Sequence, residues 1–280
     1  MATTLAGFPL TARTRLSKFF TTFGFLLAVF AAGTALTGAP VRAEEAEPAP
    51  DPMCLPKTFS LRTGGAMERT ADRLARRMGL KVLAIGSSST EGIGASSPQK
   101  SYPAQLAVDL GARMRSVKVD VRNAGIGGET IDKTIVRLQL ELERYKPDLV
   151  IWQVGTNDAI TAGNSEAQFR TLIESGVRAT RSRGVDMILI DPQYFPKIAD
   201  VGRYERYVGV VKATAEENHI GLFPRYRLMK AIDAQVEGGG GIMPLLSKDS
   251  FHMGDRGYAC LADLLTNQIM LSVAQTARVH

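Results

Sequence analysis

Apolar and polar positions follow two alternating periods from Gly65 onward. Short, dense apolar runs, typical of buried strands, are followed by longer stretches whose apolar residues lie three and four apart, typical of amphipathic helices. The pattern predicts strands over 82–85, 117–121, 149–154, 187–190 and 220–223. It predicts helices over 67–78, 102–114, 131–145, 167–183, 204–218 and 257–277.

Strands that alternate with helices of this length predict one fold class. Such units form right-handed crossovers, which build a parallel sheet covered by helices on both faces. We therefore expect a three-layer α/β/α sandwich over residues 65–280. In such sheets ligands bind beyond the carboxyl ends of the strands, so the loops there are where function is expected.

Residues 1–43 have the features of an export signal rather than of a fold. Arg13, Arg15 and Lys18 precede a nearly unbroken apolar run from Phe19 to Leu36, and Val41-Arg42-Ala43 offers small residues at the cleavage spacing. The absence of an adjacent arginine pair favours a Sec-type signal. Cleavage after Ala43 predicts a periplasmic or secreted protein without stable membrane insertion. An uncleaved anchor is the alternative, because the apolar run is close to the ~20 residues that span a bilayer.

Removal of this segment changes the meaning of the charge. The whole chain has 34 Lys and Arg against 28 Asp and Glu, a formal charge of +6, and the signal takes away four positive charges and no acid, which leaves +2. No basic stripe interleaved with aromatic residues follows, so nucleic acid is not an expected partner. Residues 44–64 form a leader whose acidic, proline-rich beginning should be partly disordered. The sequence does not indicate an oligomeric state.

Two cysteines, Cys54 and Cys260, remain in the exported part. An oxidising compartment permits a disulfide between them, and so wide a loop could stabilise the fold by up to ~5 kcal/mol in the chain-entropy model. Cys260 also falls on an apolar helix face, where buried free thiols are common. Both interpretations stay open.

The candidate chemistry begins in the stretch Lys81–Gly92, KVLAIGSSSTEG. A buried apolar run stops at Gly86 and turns into three consecutive serines, at the carboxyl end of the first predicted strand. A serine in that place is suited to nucleophilic chemistry. A serine- and glycine-rich turn taken alone is more often an ordinary loop, so the interpretation depends on other stretches.

Three further stretches follow later strands. Asn123–Thr130, NAGIGGET, offers glycine backbone N–H groups just before a helix, and Gly155–Asp158, GTND, offers a side-chain amide at a strand end. Asp249-Ser250-Phe251-His252 lets a carboxylate orient an imidazole three residues later. Each stretch alone could be a turn or a helix cap. Together they supply oxyanion donors, a base and a group that orients the base.

The supply of histidines restricts the choice of base and of cofactor. His219 ends a predicted surface helix and His280 is the last residue, so His252 is the one good candidate for a general base. So few histidines argue against a histidine-built metal site. No Gly-Lys-Ser/Thr follows the first strand, which excludes a P-loop. We expect neither a metal nor a cofactor.

These four stretches resemble the sequence blocks of the SGNH (GDSL-type) hydrolases, and the similarity covers nearly the whole mature chain. The resemblance implies a flavodoxin-like parallel sheet and a serine esterase. Matching G-D-S-x-x-x-G to Gly86–Gly92 implies Ser88 as nucleophile, and D-x-x-H implies Asp249 and His252 as its partners. The oxyanion hole would be the backbone N–H groups of Ser88 and Gly128 with the Asn157 amide. The chain departs from the family at Ser87, where aspartate is usual.

The resemblance implies hydrolysis of a carboxylic ester through an acyl-enzyme on Ser88. The mature chain has no long apolar cap segment to house a fatty acyl chain, so we expect a short acyl group, such as acetyl, on a carbohydrate or small molecule. A lysophospholipase or thioesterase of the same family is one alternative. A non-catalytic glycan-binding module on an esterase fold is another, which hydrolysis of p-nitrophenyl acetate would distinguish.

Overall fold

The protein is organised around one sheet of five parallel strands in a computed structural model that describes residues 53–61, 65–161 and 163–279. The strand order is β2-β1-β3-β4-β5. The strands are β1 Leu80–Gly86, β2 Val119–Gly125, β3 Leu149–Gln153, β4 Asp186–Ile190 and β5 Gly221–Phe223. This is the flavodoxin-like order, so the predicted fold class is confirmed.

Helices connect the strands and cover both faces. They are α1 Glu68–Ala75, α2 Ser88–Glu91, α3 Tyr102–Arg113, α4 Ile131–Arg144, α5 Thr156–Ile160, α6 Glu166–Arg181, α7 Val201–Glu217, α8 Arg225–Asp233 and α9 Asp255–Val279. Two single turns of 3-10 helix lie at Pro98–Lys100 and Met243–Leu245. Helices α1, α3 and α9 pack together, as do α4, α6 and α7.

Alternate side chains of each central strand enter different cores. In β1, Val82 and Ala84 join the core that lies beneath α3 and α9, whereas Leu83 and Ile85 join the core beneath α4, α6 and α7. Period-two alternation in a strand that is buried on both faces produces this division. The continuous apolar runs of β1, β3 and β4 therefore reflect two buried faces.

The register of the strands brings their carboxyl ends to one edge. Gly86 is paired with Gly125, Ile85 with Trp152, and Gln153 with Ile190. The chain that leaves β1, β2, β3 and β4 therefore emerges at neighbouring points of the same edge.

The structure extends one predicted strand and contains three helices that the sequence did not predict. Strand β2 continues to Gly125 instead of ending at residue 121, because hydrogen bonding with β1 keeps Asn123 and Gly125 extended despite their low strand propensity. Helices α2 and α5 are too short for a helical period to show in the sequence. Helix α8 was not predicted either, because it has only nine residues and places the charged Arg225 and Asp233 on its buried face.

The predicted leader is only in part described. Residues 53–61 pack against the domain, with Cys54 7% exposed and joined to Cys260 of α9 by a disulfide. The predicted signal, residues 1–43, lies outside the described residues. Within the described ranges, no helix combines the length and apolarity needed to cross a bilayer.

Candidate active site

The serine turn, residues 86–92, begins at the last residue of β1 and contains the single helical turn α2. The N–H groups of Thr90 and Glu91 donate to the Ser87 carbonyl, and Gly92 ends the turn in the left-handed region at φ 104°. A side chain at Gly86 would lie 2.6 Å from Thr90 Oγ1, so only glycine fits this close approach. The chain is thereby forced to reverse directly beyond the strand.

Burial distinguishes the members of the serine triplet. Ser87 and Ser89 are 4% and 2% exposed, whereas Ser88 between them is half-buried and reaches the surface. Ser88 Oγ lies 3.0 Å from His252 Nε2. The geometry therefore favours Ser88 as the reactive hydroxyl of the triplet.

The histidine loop, residues 246–254, holds the imidazole. His252 Nδ1 lies 2.6 Å from Asp249 Oδ2, while Asp249 Oδ1 accepts hydrogen bonds from the Ser247 hydroxyl and the N–H groups of Phe251 and His252. Ser250 adopts φ 57°, which turns the chain tightly enough for these bonds. Antiparallel pairing of Leu246 with Met253 closes the loop.

The hydrogen bonds to Asp249 determine its charge. Partial burial alone would raise the pKa of this carboxyl group, but the hydrogen bonds from Ser247, His252 and two backbone N–H groups outweigh it and lower the pKa well below the usual range. Asp249 is therefore an anion at neutral pH. An anion at this place holds a proton on Nδ1 and leaves Nε2 free to accept the Ser88 proton.

The glycine loop, residues 125–129, lies on the other side of Ser88. A side chain placed on Gly127 would come 3.9 Å from Ser88 Cβ, and one on Gly128, at φ 77°, would project into open space. Asn157 Nδ2 donates to the Glu129 carbonyl at 2.8 Å, which joins the amide to the residue after Gly128. An amide nitrogen carries a second hydrogen, which is available to a ligand.

The next residue, Asp158, has a supporting place. It is 2% exposed, and its Oδ1 accepts the N–H of Ile131 at the start of α4 and the Asn164 amide. Burial raises the pKa of Asp158, and these hydrogen bonds partly offset the rise. Asp158 thus anchors the glycine loop through α4. The side chain left available to the site is that of the preceding residue, Asn157.

Two buried glutamines in this site were not singled out from the sequence. Gln153 Oε1 accepts both the N–H and the hydroxyl of Ser87, at 3.0 and 3.1 Å. At position 87, where SGNH hydrolases usually have aspartate, the hydrogen bonds here therefore join two uncharged residues. Gln153 is the one polar residue of the apolar strand β3, a signal that could have marked it. Gln193, which bonds Ser89, stands in an irregular segment after Pro192 without such a signal.

The structure thus brings together most of the residues chosen from the sequence. Ser88, His252 and Asp249 form one hydrogen-bonded chain. Gly128 belongs to the glycine loop that approaches Ser88 at Gly127, and Asn157 is bonded to that loop at Glu129. Cys54 and Cys260 lie elsewhere, in the core beneath α3 and α9. In the described ranges, no group of three His, Cys, Asp or Glu side chains is arranged to hold a metal ion.

A parallel sheet in the order β2-β1-β3-β4-β5, with serine, histidine and aspartate joined at its carboxyl edge, is the arrangement that the resemblance to SGNH hydrolases implies. The chain matches the non-GDSL lipase-like family over residues 54–275 and therefore belongs to that family. The predicted similarity to SGNH hydrolases is confirmed.

Individual proteins resemble the chain over shorter ranges. Esterase TesA of Pseudomonas aeruginosa is 29% identical over 133 residues, which are 47% of this chain and 60% of that protein. A two-domain esterase (CEX) active on acetylated mannans superposes with a TM-score of 0.61 at 19% identity, over 76% of this chain and 56% of that one. The acetyl xylan esterase Axe2 of Geobacillus stearothermophilus gives 0.58 at 23% identity, over 69% and 96%. The chain thus spans less than two thirds of TesA and CEX.

Proposed function

We propose that the protein is a carboxylic ester hydrolase that works through an acyl-enzyme on Ser88. The observation that carries the proposal is the hydrogen-bonded chain from Ser88 Oγ through His252 to Asp249, at 3.0 and 2.6 Å. A serine hydroxyl is a weak nucleophile until a neighbouring base takes its proton, and this chain supplies the base and its orienting anion.

The reaction follows from these positions. His252 Nε2 takes the Ser88 proton as Oγ bonds to the carbonyl carbon of the ester, and the carbonyl oxygen becomes an anion. When the intermediate collapses, the carbon–oxygen bond to the alcohol breaks and His252 gives the alcohol its proton. A water molecule, deprotonated by His252, then attacks the carbonyl carbon of the acyl-enzyme. When the bond from that carbon to Ser88 Oγ breaks, the acid is released and His252 gives the proton to Ser88 Oγ.

Donors for the anionic oxygen lie on two loops. The N–H of Ser88 belongs to the first residue of α2 and has no partner within that helix, and the N–H of Gly128 and the second Asn157 hydrogen lie on the glycine-loop side. One such donor contributes ~10²-fold or more to the rate of an acyl transfer. In this proposal the three donors together form the oxyanion hole.

The proposed substrate is an ester with a short acyl group, such as acetyl, on a carbohydrate or small molecule. Two structurally similar proteins are esterases of acetylated glycans, which supports this choice. The mature chain also lacks a long apolar cap segment that could cover a fatty chain. Lysophospholipid or thioester hydrolysis, and glycan binding without hydrolysis, are the competing functions.

A substrate panel with the purified protein tests the proposal. p-Nitrophenyl esters from acetyl to dodecanoyl, acetylated xylan and mannan, a lysophospholipid and an acyl thioester would be compared by kcat/KM. We expect acetyl esters to lead and a fluorophosphonate to add to the Ser88 peptide. A preference for long acyl chains would contradict the proposed substrate class. Glycan binding without turnover of any ester would contradict the proposal that the protein is an enzyme.

We further propose that the mature protein begins at Glu44 and is periplasmic or secreted. The basic, apolar and small-residue segments before Glu44 support export, and a Cys54–Cys260 disulfide fits an oxidising compartment. Non-reducing mass spectrometry of the protein from the cell envelope should find Glu44 first and no alkylatable thiol. Met1 with two alkylatable thiols would contradict both proposals, whereas Glu44 with free thiols would contradict only the disulfide.

A further inference from the structure

Gln193 lies between the three loops that carry the proposed catalytic groups. Its side chain is fully buried, at 0% exposure. It follows β4 at the carboxyl edge of the sheet, on a segment without regular secondary structure. The proposed reaction does not use this residue as an acid, base or donor, so its burial there calls for another explanation.

Each hydrogen bond of the Gln193 side chain ends next to a reacting residue. Its Oε1 accepts the hydroxyl of Ser89, which follows Ser88, at 2.7 Å. Its Nε2 donates to the carbonyl of Phe251, which precedes His252, at 2.9 Å. One amide therefore joins the serine turn to the histidine loop.

The backbone of Gln193 adds a third loop and a fixed support. Its N–H donates to Thr156 Oγ1 at 3.4 Å, and Thr156 directly precedes Asn157. Its carbonyl accepts the hydroxyl of the buried Tyr204 of α7 at 2.6 Å. The backbone of Gln193 is thus held against α7 while its side-chain amide contacts the serine turn and the histidine loop.

Ring packing from the same segment acts on the same loop. The Phe195 ring packs edge-on against Phe251 at 4.7 Å between centroids, and Phe251 packs edge-on against the His252 ring at 4.6 Å. The segment 193–195 therefore contacts the histidine loop through one hydrogen bond, from Gln193, and through the edge-on contact of Phe195 with Phe251.

We propose that Gln193 is a positioning residue that sets the distance between Ser88 and His252, an inference that rests on the proposed esterase function. Local bonds orient His252 on Asp249 and hold Ser88 on its helical turn, but neither set fixes one loop relative to the other. Ser88 and His252 are 164 residues apart in the chain, and the Gln193 side chain bonds a sequence neighbour of each. An amide suits the place because it accepts at one end and donates at the other.

Gln193→Met tests the role, since methionine has a similar length and neither accepts nor donates strongly here. A displacement of the reacting groups by about 1 Å can cost ~10²-fold in rate, so we expect kcat to fall ~10-fold to ~100-fold with KM changed less than ~3-fold. The matched control is Gln268→Met. Gln268 is also buried, and its amide donates to the Leu222 carbonyl. The control should lower the Tm but leave kcat within ~2-fold of the wild type.

Gln193→Glu separates positioning from packing. A carboxylic acid buried in this place is protonated at pH 6, because burial raises carboxyl pKa values, and in that form it accepts at one oxygen and donates at the other. We therefore expect Gln193→Glu to be at least ~10-fold faster than Gln193→Met at pH 6. Equal kcat for the two variants would contradict the proposal, as would a folded Gln193→Met with wild-type kcat or a control that loses as much.

Two further measurements keep the inference independent of folding and of the proposed function. If Gln193→Met does not fold, Tyr204→Phe removes the hydroxyl that bonds the Gln193 carbonyl and also contacts Thr156. A kcat lowered ~3-fold or more supports the role, whereas an unchanged kcat rejects it. A crystal structure of Gln193→Met should show Ser88 Oγ and His252 Nε2 separated by more than a hydrogen bond, ~3.5 Å. An unchanged separation overturns the role of Gln193 alone, and a wild type that hydrolyses no ester overturns the proposed function alone.

Discussion

The serine turn and the histidine loop face each other across the site but are built in opposite ways. In the serine turn, Ser87 and Ser89 are buried and bond to Gln153 and Gln193, which are 66 and 104 residues away in the sequence. In the histidine loop, Asp249 is 45% exposed and its bonds reach Ser247, Phe251 and His252, no more than three residues away.

Because of this difference, we expect substitutions in the two segments to affect stability and activity differently. The buried bonds of the serine turn are part of the core, so a change there removes stability together with geometry. The exposed bonds of the histidine loop order only that loop, so a change there should act on the reaction and leave the Tm almost unaltered. The following variants test the comparison.

The largest effect is expected from the serine triplet itself. Ser88→Ala removes the nucleophile and should lower kcat by at least ~10⁴-fold with no loss of Tm, because Ser88 is half-buried and its neighbours keep the core bonds. Ser87→Ala and Ser89→Ala should keep activity within ~10-fold and lower the Tm instead. Kinetics with p-nitrophenyl acetate and thermal melts measure both. An inactive Ser87→Ala beside an active Ser88→Ala would show that the wrong serine was chosen.

Asp249→Asn should give the next largest effect, on the opposite side of the comparison. The asparagine oxygen can keep the bonds to the N–H groups of Phe251 and His252, but its Nδ2 then faces His252 Nδ1 and stabilises the tautomer that has its proton on Nε2. That tautomer cannot accept from Ser88, so kcat should fall ~10³-fold to ~10⁴-fold. The Tm should stay within a few degrees. A large loss of Tm would show that this loop is not locally built.

Gln153→Leu should have the opposite effect to Asp249→Asn, with a marked loss of stability. It leaves the buried N–H and hydroxyl of Ser87 without their acceptor, at a cost of about 1–3 kcal/mol in the free energy of unfolding. Urea unfolding measures this cost, with Ser247→Ala as the exposed counterpart. Ser247 donates to Asp249, and its loss should change stability by less than about 0.5 kcal/mol. Equal costs for the two variants would remove the distinction between the loops.

The smallest expected effect is a slope of stability with pH, which contrasts two carboxylates at this edge. Burial raises the pKa of Asp191 to about 7, partly offset by the Tyr226 N–H and the charge of Arg225. The folded state therefore binds a proton that the unfolded state has already lost, so Asp191 makes stability fall as pH rises from ~4 to ~7. Asp249, with its lowered pKa, makes stability fall only below pH ~4.

Thermal melts of the wild type and Asp191→Asn between pH 4 and pH 8 measure this slope. Asparagine can still accept from the Tyr226 N–H and carries no charge, so the variant should lose the Asp191 part of the slope and melt a few degrees higher at pH 8. Parallel curves for the two proteins would show that Asp191 is ionised in the fold throughout.

Local interactions explain which residues could be found from the sequence alone. The alternation of apolar periods predicted the strands and long helices, because the apolar positions of each element repeat with the period of its own buried face. Asp249-x-x-His252 predicted a bonded pair, because a separation of three residues can bring the two side chains together. The order of glycine, asparagine and serine stretches after successive strands placed them at one edge, since parallel strands end together.

The tertiary structure alone decided what depends on contacts across the chain. It decided that Ser88 is the least buried member of its triplet, because Ser87 and Ser89 are buried against two glutamines that are distant in the chain. It extended β2 through Asn123 and Gly125, because pairing with β1 outweighs their propensity. It joined Cys54 to Cys260, a choice that the sequence left open, and it placed Gln193 between the three loops. Such contacts join residues far apart in the chain, and no local pattern of polar and apolar positions encodes them.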